Sequence, residues 1–241
     1  MVIPRAPLLL FVATATLAAA RADTALSSVT PQSLPSPACL ERHVRSLLAE
    51  SNGDAEGAIA WAESASTLDP GSSFAMSRVA QLQEATGEDS AALDRAERAL
   101  ALDSLNSEAA MVAGRMRFLA GQPRLAVRVL TPPLRQASAM PELFALRALA
   151  HQMTRNYGAA LADLERTGPL LPDFHWMAAG ILAMALEDGR LDEAHAAFEL
   201  AIKLRPDDPR TVTLGVSLAR RTGNLAMERA LRSRLQASAL P

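Results

Sequence analysis

The chain has 241 residues, of which 49% are hydrophobic, 21% charged and 4% aromatic, and its formal net charge is -2. This composition is typical of a folded globular protein, and it excludes a disordered acidic chain and a protein with many membrane spans. The near-neutral charge predicts no nucleic-acid partner, because such proteins need a basic face. The single cysteine, Cys39, excludes an internal disulfide and a thiolate zinc site.

Residues 1–22 are predicted to be an export signal. They contain no acidic residue, Arg5 supplies a weak positive start, and an uncharged apolar run extends from Leu8 to Ala20. Small residues allow cleavage after Ala20 or Ala22, and the run is shorter than the roughly 20 apolar residues of a membrane span. We therefore expect an exported protein, periplasmic or extracellular, without a transmembrane helix in the mature chain. An uncleaved signal anchor and an organelle transit peptide are the alternatives.

Residues 23–38 are predicted to be a disordered tether rich in proline and serine. Pro31, Pro35 and Pro37 remove amide donors and disfavour helix in the residues before them. Cys39 then lies at the edge of the folded part. We expect it to be a reduced structural thiol, and a cysteine that pairs with a partner is the alternative.

A 34-residue period runs through the remainder of the chain, without an insertion. Glycine recurs in this register at Gly53, Gly87, Gly121, Gly189 and Gly223, and Arg155 occupies the one position of the series that lacks a glycine. Five residues later the column reads Ala58, Ala92, Ala126, Ala160 and Ala194, and ends with Glu228. Seventeen residues after the glycine come Pro70, Ser104, Ser138, Pro172 and Pro206, and two places before these are Leu68, Leu102, Leu170 and Leu204.

Each column has a physical reason in a unit of two antiparallel helices. Glycine ends the first helix, because it adopts the left-handed C′ conformation at little cost. The small residue that follows lets the second helix approach the first closely. Proline then stops the second helix. Between these marks the apolar residues recur at helical spacing, as from Leu191 to Ile202.

The period and these columns resemble the tetratricopeptide repeat (TPR) over the whole of residues 39–241. The resemblance implies an all-α fold, a right-handed α-solenoid of antiparallel helix pairs with about six 34-residue repeats. Residues 39–208 hold five of them, at 39–72, 73–106, 107–140, 141–174 and 175–208. A degenerate sixth repeat at 209–241 is expected to act as the C-terminal cap.

Two departures from the family pattern carry structural expectations. Pro133 replaces the alanine of the second helix in the third repeat, so that helix is expected to end early or to kink. The sixth repeat has Glu228 in place of the small residue and Arg232 at a packing position. A terminal repeat needs a hydrated outer face, and these two residues suit it.

The resemblance further implies that the first helix of each repeat lines a concave groove that receives a peptide or a helix of a partner. The family's groove positions carry over to His43, Phe74, Ser77, Gln81, Met111, Arg115, Phe118, Gln152, Met153 and Trp176. The methionine and aromatic members are expected to form an apolar strip that suits an extended peptide or an amphipathic helix. The alternative is that they fill the core between repeats.

The charge is uneven along the chain. Residues 23–106 contain thirteen acidic residues and five arginines, whereas residues 203–241 contain eight basic and three acidic residues. An anion-facing C-terminal patch is predicted at Arg220, Arg221, Arg229, Arg232 and Arg234. A solvated capping face is the alternative, and the opposite charges of the two ends would also favour a head-to-tail homo-oligomer.

No catalytic, metal-binding or cofactor-binding residue is predicted, and the protein is not expected to be an enzyme. No two of the four histidines are spaced to share a metal on a helix, and the phosphate-binding, dinucleotide-binding and serine-hydrolase motifs are absent from the sequence. We expect a protein-protein interaction scaffold in an exported or envelope-associated assembly, such as secretion, envelope biogenesis or polysaccharide export. An accessory subunit that binds a carbohydrate or small ligand for a partner enzyme is the alternative.

Overall fold

The computed structural model describes residues 35–136, 140–167 and 175–238. The predicted export signal and most of the predicted tether lie outside the described residues, as do Ser138, Leu170 and Pro172 of the repeat columns. The described part contains twelve α-helices, which are α1 Pro37–Ser51, α2 Ala55–Leu68, α3 Ser73–Ala85, α4 Asp89–Leu102, α5 Ser107–Leu119, α6 Pro123–Leu130, α7 Pro141–Met153, α8 Tyr157–Thr167, α9 His175–Glu187, α10 Leu191–Leu204, α11 Pro209–Thr222 and α12 Leu225–Ser238. A short 3-10 helix, Pro133–Arg135, follows α6.

The helices pair consecutively into antiparallel hairpins that stack in chain order, so the expected all-α solenoid is confirmed. From the second repeat onward, the first helix of each pair begins at residue 73, 107, 141, 175 or 209, in the predicted 34-residue register. Local capping contributes to these starts. The Ser72 hydroxyl accepts a hydrogen bond from the Ala75 amide at 3.2 Å, and the Asn106 side chain accepts one from the Ala109 amide at 2.9 Å. None of the described helices combines the length and apolar character that crossing a membrane requires.

The first helix begins two residues earlier than expected. The sequence places residues 37 and 38 in the tether and the first repeat at residue 39, but α1 begins at Pro37. Ser36 is its N-cap, because its hydroxyl accepts a hydrogen bond from the Cys39 amide at 3.2 Å. Proline at the first helical position costs no hydrogen bond, since that amide has no partner within the helix. Pro37 therefore starts the helix and does not belong to an extended tether.

The glycine column marks the turn between the two helices of each pair. Its five glycines have φ between +70° and +81°, the left-handed region that favours glycine. Arg155, which fills the missing place, has φ +58° and is the only non-glycine residue with positive φ in the part of the chain that the structure describes. The sequence register thus identifies every left-handed turn position of the described hairpins.

The small-residue column lies where the two helices of a pair meet. The five alanines from Ala58 to Ala194 are fully buried. In the third repeat an added Cβ on Gly114 would lie 2.7 Å from Leu130 Cδ2. In the sixth repeat an added Cβ on Gly215 would lie 2.3 Å from Phe198 Cε2. At each glycine, the missing side chain leaves room for a large side chain of an adjacent second helix, which is Leu130 of the same repeat or Phe198 of the preceding repeat.

The early end of the second helix in the third repeat, which Pro133 predicts, is confirmed. Helix α6 ends at Leu130 after eight residues, and the 3-10 helix at Pro133 continues the chain. In the sixth repeat, the Glu228 carboxylate accepts hydrogen bonds from Arg220 at 2.8 Å and pairs with Arg232 at 2.9 Å. The carboxylate can therefore occupy a packing position because two guanidinium groups neutralise it.

Candidate functional site

Several predicted groove residues make contacts between the first helices of consecutive repeats. Four contacts between neighbouring first helices show this. The His43 and Phe74 ring centroids lie 4.2 Å apart, and Ser77 Oγ lies 3.3 Å from Glu108 Oε2. Arg115 Nη2 donates to Glu84 Oε2 at 2.7 Å, and Gln152 Nε2 lies 3.3 Å from Met184 Sδ. We call the surface formed by the first helices α1, α3, α5, α7 and α9 the first-helix surface.

The predicted apolar strip divides into two parts on this surface. Phe74, Met111 and Phe118 are half-buried, and the last two pack against the core around Leu130 and Leu143. Met153 and Trp176 remain 60% and 50% exposed. The strip is therefore not continuous, because its first three members contribute to packing and only the last two present large apolar side chains to solvent.

The polar groove residues are engaged with neighbouring repeats. Ser77 is fully buried, and its hydroxyl donates to the Phe74 carbonyl at 2.9 Å. Arg115 forms its ion pair with Glu84 on the preceding first helix, and Gln81 is half-buried. Ser77, through Glu108, and Arg115, through Glu84, therefore link adjacent repeats. A partner that used them for recognition would have to compete with those contacts.

Leu119 is an exposed apolar residue of this surface that the predicted set omits. Leu119 is 69% exposed at the end of α5, and it occupies the same repeat position as Met153 at the end of α7. A pocket of about 610 Å³ lies beside this position, lined by residues 121–125 and 153–155. The family position that selected Met153 would also have selected Leu119, so the signal was present in the sequence.

A polar network fixes the wall of this pocket at Arg155. Its guanidinium pairs with Asp188, and its carbonyl accepts a hydrogen bond from Arg190 Nη1 at 2.7 Å. The Tyr157 hydroxyl donates to Asp188 at 2.7 Å, and this bond holds the pKa of that carboxyl below its usual range. Burial and the same hydrogen bond raise the pKa of Tyr157 to about 12. The network holds the turn between α7 and α8 against the turn between α9 and α10.

Polar atoms without partners occur at two of the predicted groove residues. Among the described residues, His43 Nδ1 and Gln152 Oε1 are buried side-chain atoms that form no hydrogen bond. Burial and the nearby Arg78 guanidinium both lower the pKa of His43. The His43 ring packs against the Phe74 ring, so it contributes an aromatic surface here.

The predicted C-terminal arginine patch is largely engaged within the chain. Arg220 and Arg232 contact Glu228, Arg234 donates to Asp207 at 2.8 Å, and Arg221 donates to the Leu186 carbonyl. Arg229 is exposed. Three of the five guanidinium groups contact two carboxylates, Glu228 and Asp207, which reduce the net positive charge that the patch offers to an anion.

No metal centre is formed by the residues that the structure describes, since no three His, Cys, Asp or Glu side chains cluster in a way that would hold an ion. Cys39 is buried against Ala65 and Ala75, and this burial raises the pKa of its thiol. A buried thiol with a raised pKa is a poor nucleophile.

Comparison with known proteins gives structural relatives only. No protein-family model matches the chain, and no curated protein matches it by sequence. Among solved structures, MamA is 18% identical, with 70% of this chain and 93% of MamA covered at a TM-score of 0.58.

Two further structures give similar agreement. YrrB, described as a TPR protein with an unusual peptide-binding site, is 18% identical, with 72% of this chain and 90% of YrrB covered at a TM-score of 0.58. PilW, described as a widely conserved type IV pilus biogenesis factor, is 17% identical, with 84% and 94% covered at a TM-score of 0.55. The chain therefore has the fold of TPR proteins, as the repeat pattern predicts.

Proposed function

We propose that this protein is a non-enzymatic scaffold that binds a peptide or a helix of a partner protein on its first-helix surface. The observation that carries the proposal is the pair of half-exposed large apolar side chains, Met153 and Trp176, on first helices of consecutive repeats. Stacked helix pairs produce extended binding surfaces of this kind. Methionine and tryptophan are adaptable contact residues that dominate the energetics of many interfaces.

The exposed part of the surface extends toward the turn pocket. Leu119 and Met153 flank residues 121–125, and Arg124 is exposed among them. A bound segment that contacts Met153 would therefore find a second apolar side chain and a cation within reach. This arrangement favours a partner segment with apolar anchors and an acidic residue.

We further propose that the protein works in an exported or envelope-associated assembly. The apolar run at residues 8–20, followed by small residues, supports export. The likeness to PilW, whose description concerns pilus biogenesis, supports an assembly role by analogy of fold. Export is tested by sequencing the N-terminus of the protein recovered from each cell fraction. An exported mature chain is expected to begin at Arg21 or Asp23, and intact residues 1–22 on a cytoplasmic protein would contradict the proposal.

The binding proposal is tested by copurification of partners with the Met153→Ser/Trp176→Ser variant. Both side chains are half-exposed, so the variant should fold and unfold like the original while it loses its protein partner. The matched control is Leu68→Ser/Leu102→Ser, which changes two similarly exposed leucines at the ends of second helices. A partner retained by the first variant, or lost equally by both, would contradict the proposed surface.

A thermal-shift series separates peptide binding from the carbohydrate alternative. A peptide from a copurified partner should raise the melting temperature in a dose-dependent way, because a ligand of the folded state adds to its stability. Stabilisation by sugars with no response to the peptide would reverse the assignment.

A further inference from the structure

The third repeat contains a stretch of the sequence without an acidic residue. Residues 109–141 hold five arginines and neither aspartate nor glutamate. The preceding repeat neutralises two of the arginines, because Arg115 pairs with Glu84 and Arg117 pairs with Glu97. The side chains of the other three are exposed and form no ion pair or hydrogen bond with a residue that the structure describes. We call these three the arginine face, which consists of Arg124, Arg128 and Arg135.

Helix α6 carries two of these arginines on the side opposite its packing contacts. Ala126 and Leu130 are fully buried and pack in one cluster with residues of α5 and α7. Of the eight described residues of α6, Arg124 and Arg128 are the exposed ones, and they lie one turn apart, about 6 Å along the helix axis. Arg135 ends the 3-10 helix that follows, and it extends the row of cations.

In the described part of the chain, the second helices on either side do not neutralise this face. At the register positions of the two α6 arginines, α8 carries Gly158 and Ala162, which are exposed and uncharged. Nothing lies within 4 Å of a Cβ added at Gly158, so the space above it is open. On α4, the exposed Asp94 pairs with Arg98 at 3.9 Å. The exposed Glu165 of α8 forms no ion pair with a described arginine.

The turn pocket gives a carboxylate access to one end of the arginine face. Arg124 lines this pocket of about 610 Å³, and the described residues that line it, 121–125 and 153–155, include no acidic side chain. Asp188, which pairs with Arg155, is not among them. A carboxylate in the pocket would therefore meet Arg124 without a like charge in the lining.

The chemistry of the face favours the carboxylates of a polypeptide. A guanidinium group is a planar fork of donors that matches a carboxylate. The arginine face has no internal ion pair to break, unlike Arg115, so a bound carboxylate replaces only water. Alternate residues of an extended segment lie about 6.6 Å apart, close to the axial separation of Arg124 and Arg128. A membrane surface is disfavoured, because α6 exposes no apolar side chain that could insert.

We propose that the arginine face binds an acidic segment of a partner protein, with carboxylates of alternate residues on Arg124 and Arg128 and a further acidic residue near Arg135. This face lies on a second helix and its continuation, whereas the proposed function places the apolar anchors of the partner on first helices. The proposal goes beyond the proposed function and does not depend on Met153 or Trp176.

The proposal is tested with full-chain protein and a labelled synthetic 12-residue peptide that has glutamate at alternate positions and serine between them. The control peptide has glutamine in place of glutamate. Fluorescence anisotropy measures the Kd. We expect the glutamate peptide to bind about tenfold more tightly than the glutamine peptide. Its affinity should fall about fivefold between about 50 and 300 mM NaCl, because salt screens exposed charges.

Protein variants connect this binding to the arginine face. Arg124→Gln/Arg128→Gln should weaken it about fivefold. The matched control Arg205→Gln/Arg210→Gln removes two exposed arginines between the fifth and sixth repeats, and it should change the Kd less than about twofold. All four side chains are exposed, and circular dichroism verifies that the variants fold. Equal binding of the two peptides, equal weakening by the two double variants, or no binding by the full chain would overturn the proposal.

One further variant separates this proposal from the proposed function. Met153→Ser/Trp176→Ser should leave binding of the glutamate peptide unchanged, so that either proposal can fail without the other. Loss of peptide binding in this variant would move the site to the first-helix surface and overturn the proposal.

Two other occupants would give distinct results. Binding of phosphatidylglycerol vesicles without binding of the glutamate peptide would assign the face to a membrane. A dimer detected by light scattering at low salt and lost in Arg124→Gln/Arg128→Gln would assign it to a second copy, whose residues 35–106 contain twelve acidic residues and five arginines. Either result would overturn the assignment to a partner's acidic segment.

Discussion

Gly114→Ala tests the packing of the helix pair in the third repeat, because the substitution has two opposing effects on the free energy of unfolding, each of known sign. In the interior of α5, alanine is favoured over glycine by about 1 kcal/mol. The added Cβ, however, would lie 2.7 Å from Leu130 Cδ2 and 2.8 Å from its Cγ, well inside the optimal separation of about 3.5–4.0 Å. Leu130 is fully buried, so it cannot move away. Overpacking of this kind costs about 1–3 kcal/mol, and the expected net loss of unfolding free energy is about 1 kcal/mol.

The assay is urea unfolding followed by circular dichroism at 222 nm. Gly158→Ala is the matched control, because nothing lies within 4 Å of a Cβ added at this α8 glycine, and it should stabilise the protein by about 0.5 kcal/mol. Leu130→Ala alone should cost about 2–5 kcal/mol. In that background, Gly114→Ala should become stabilising, because the clash has been removed. Stabilisation by Gly114→Ala in the original protein would refute the close approach of α5 and α6.

Two further predictions concern the core and the pH dependence of stability. Ala160→Arg, at a fully buried position between α7 and α8, should lower the unfolding free energy by about 3–5 kcal/mol, and an unchanged urea midpoint would contradict the register. The folded chain lowers the pKa of His43, so the unfolded chain binds more protons as the pH falls below about 6.5. Stability should therefore decrease on acidification from pH 7.5 to 5.5, and His43→Gln should reduce this decrease. An identical pH dependence in the variant would show that His43 does not contribute.

The sequence predicted the architecture well because the repeat imposes local requirements. A left-handed turn needs glycine, and a close helix contact needs a small residue. Both requirements therefore place a residue of one type at a fixed spacing in the sequence. Even the exception at Arg155 occupies the predicted turn. The proline-rich pattern predicts that Pro37 belongs to the tether, but proline is also favoured at the first position of a helix, and α1 begins there.

The binding surface was harder to predict, because a groove position and a packing position differ by a small rotation about the helix axis. Met111 and Phe118 occupy groove positions of the family, yet they pack against the core. The pairing of Arg115 with Glu84 depends on two residues from different repeats, so neither position reveals it alone.

The measurement that tests the binding surface most directly is site-specific photo-crosslinking in living cells. A photoreactive amino acid replaces Met153 or Trp176 on the first-helix surface, and Leu68 or Leu102 at the end of a second helix, one position at a time. We predict that the two surface positions form a covalent adduct with the same partner protein and that the two control positions do not. Adducts of equal yield at all four positions, or adducts only at the control positions, would contradict a scaffold that binds its partner through the first-helix surface.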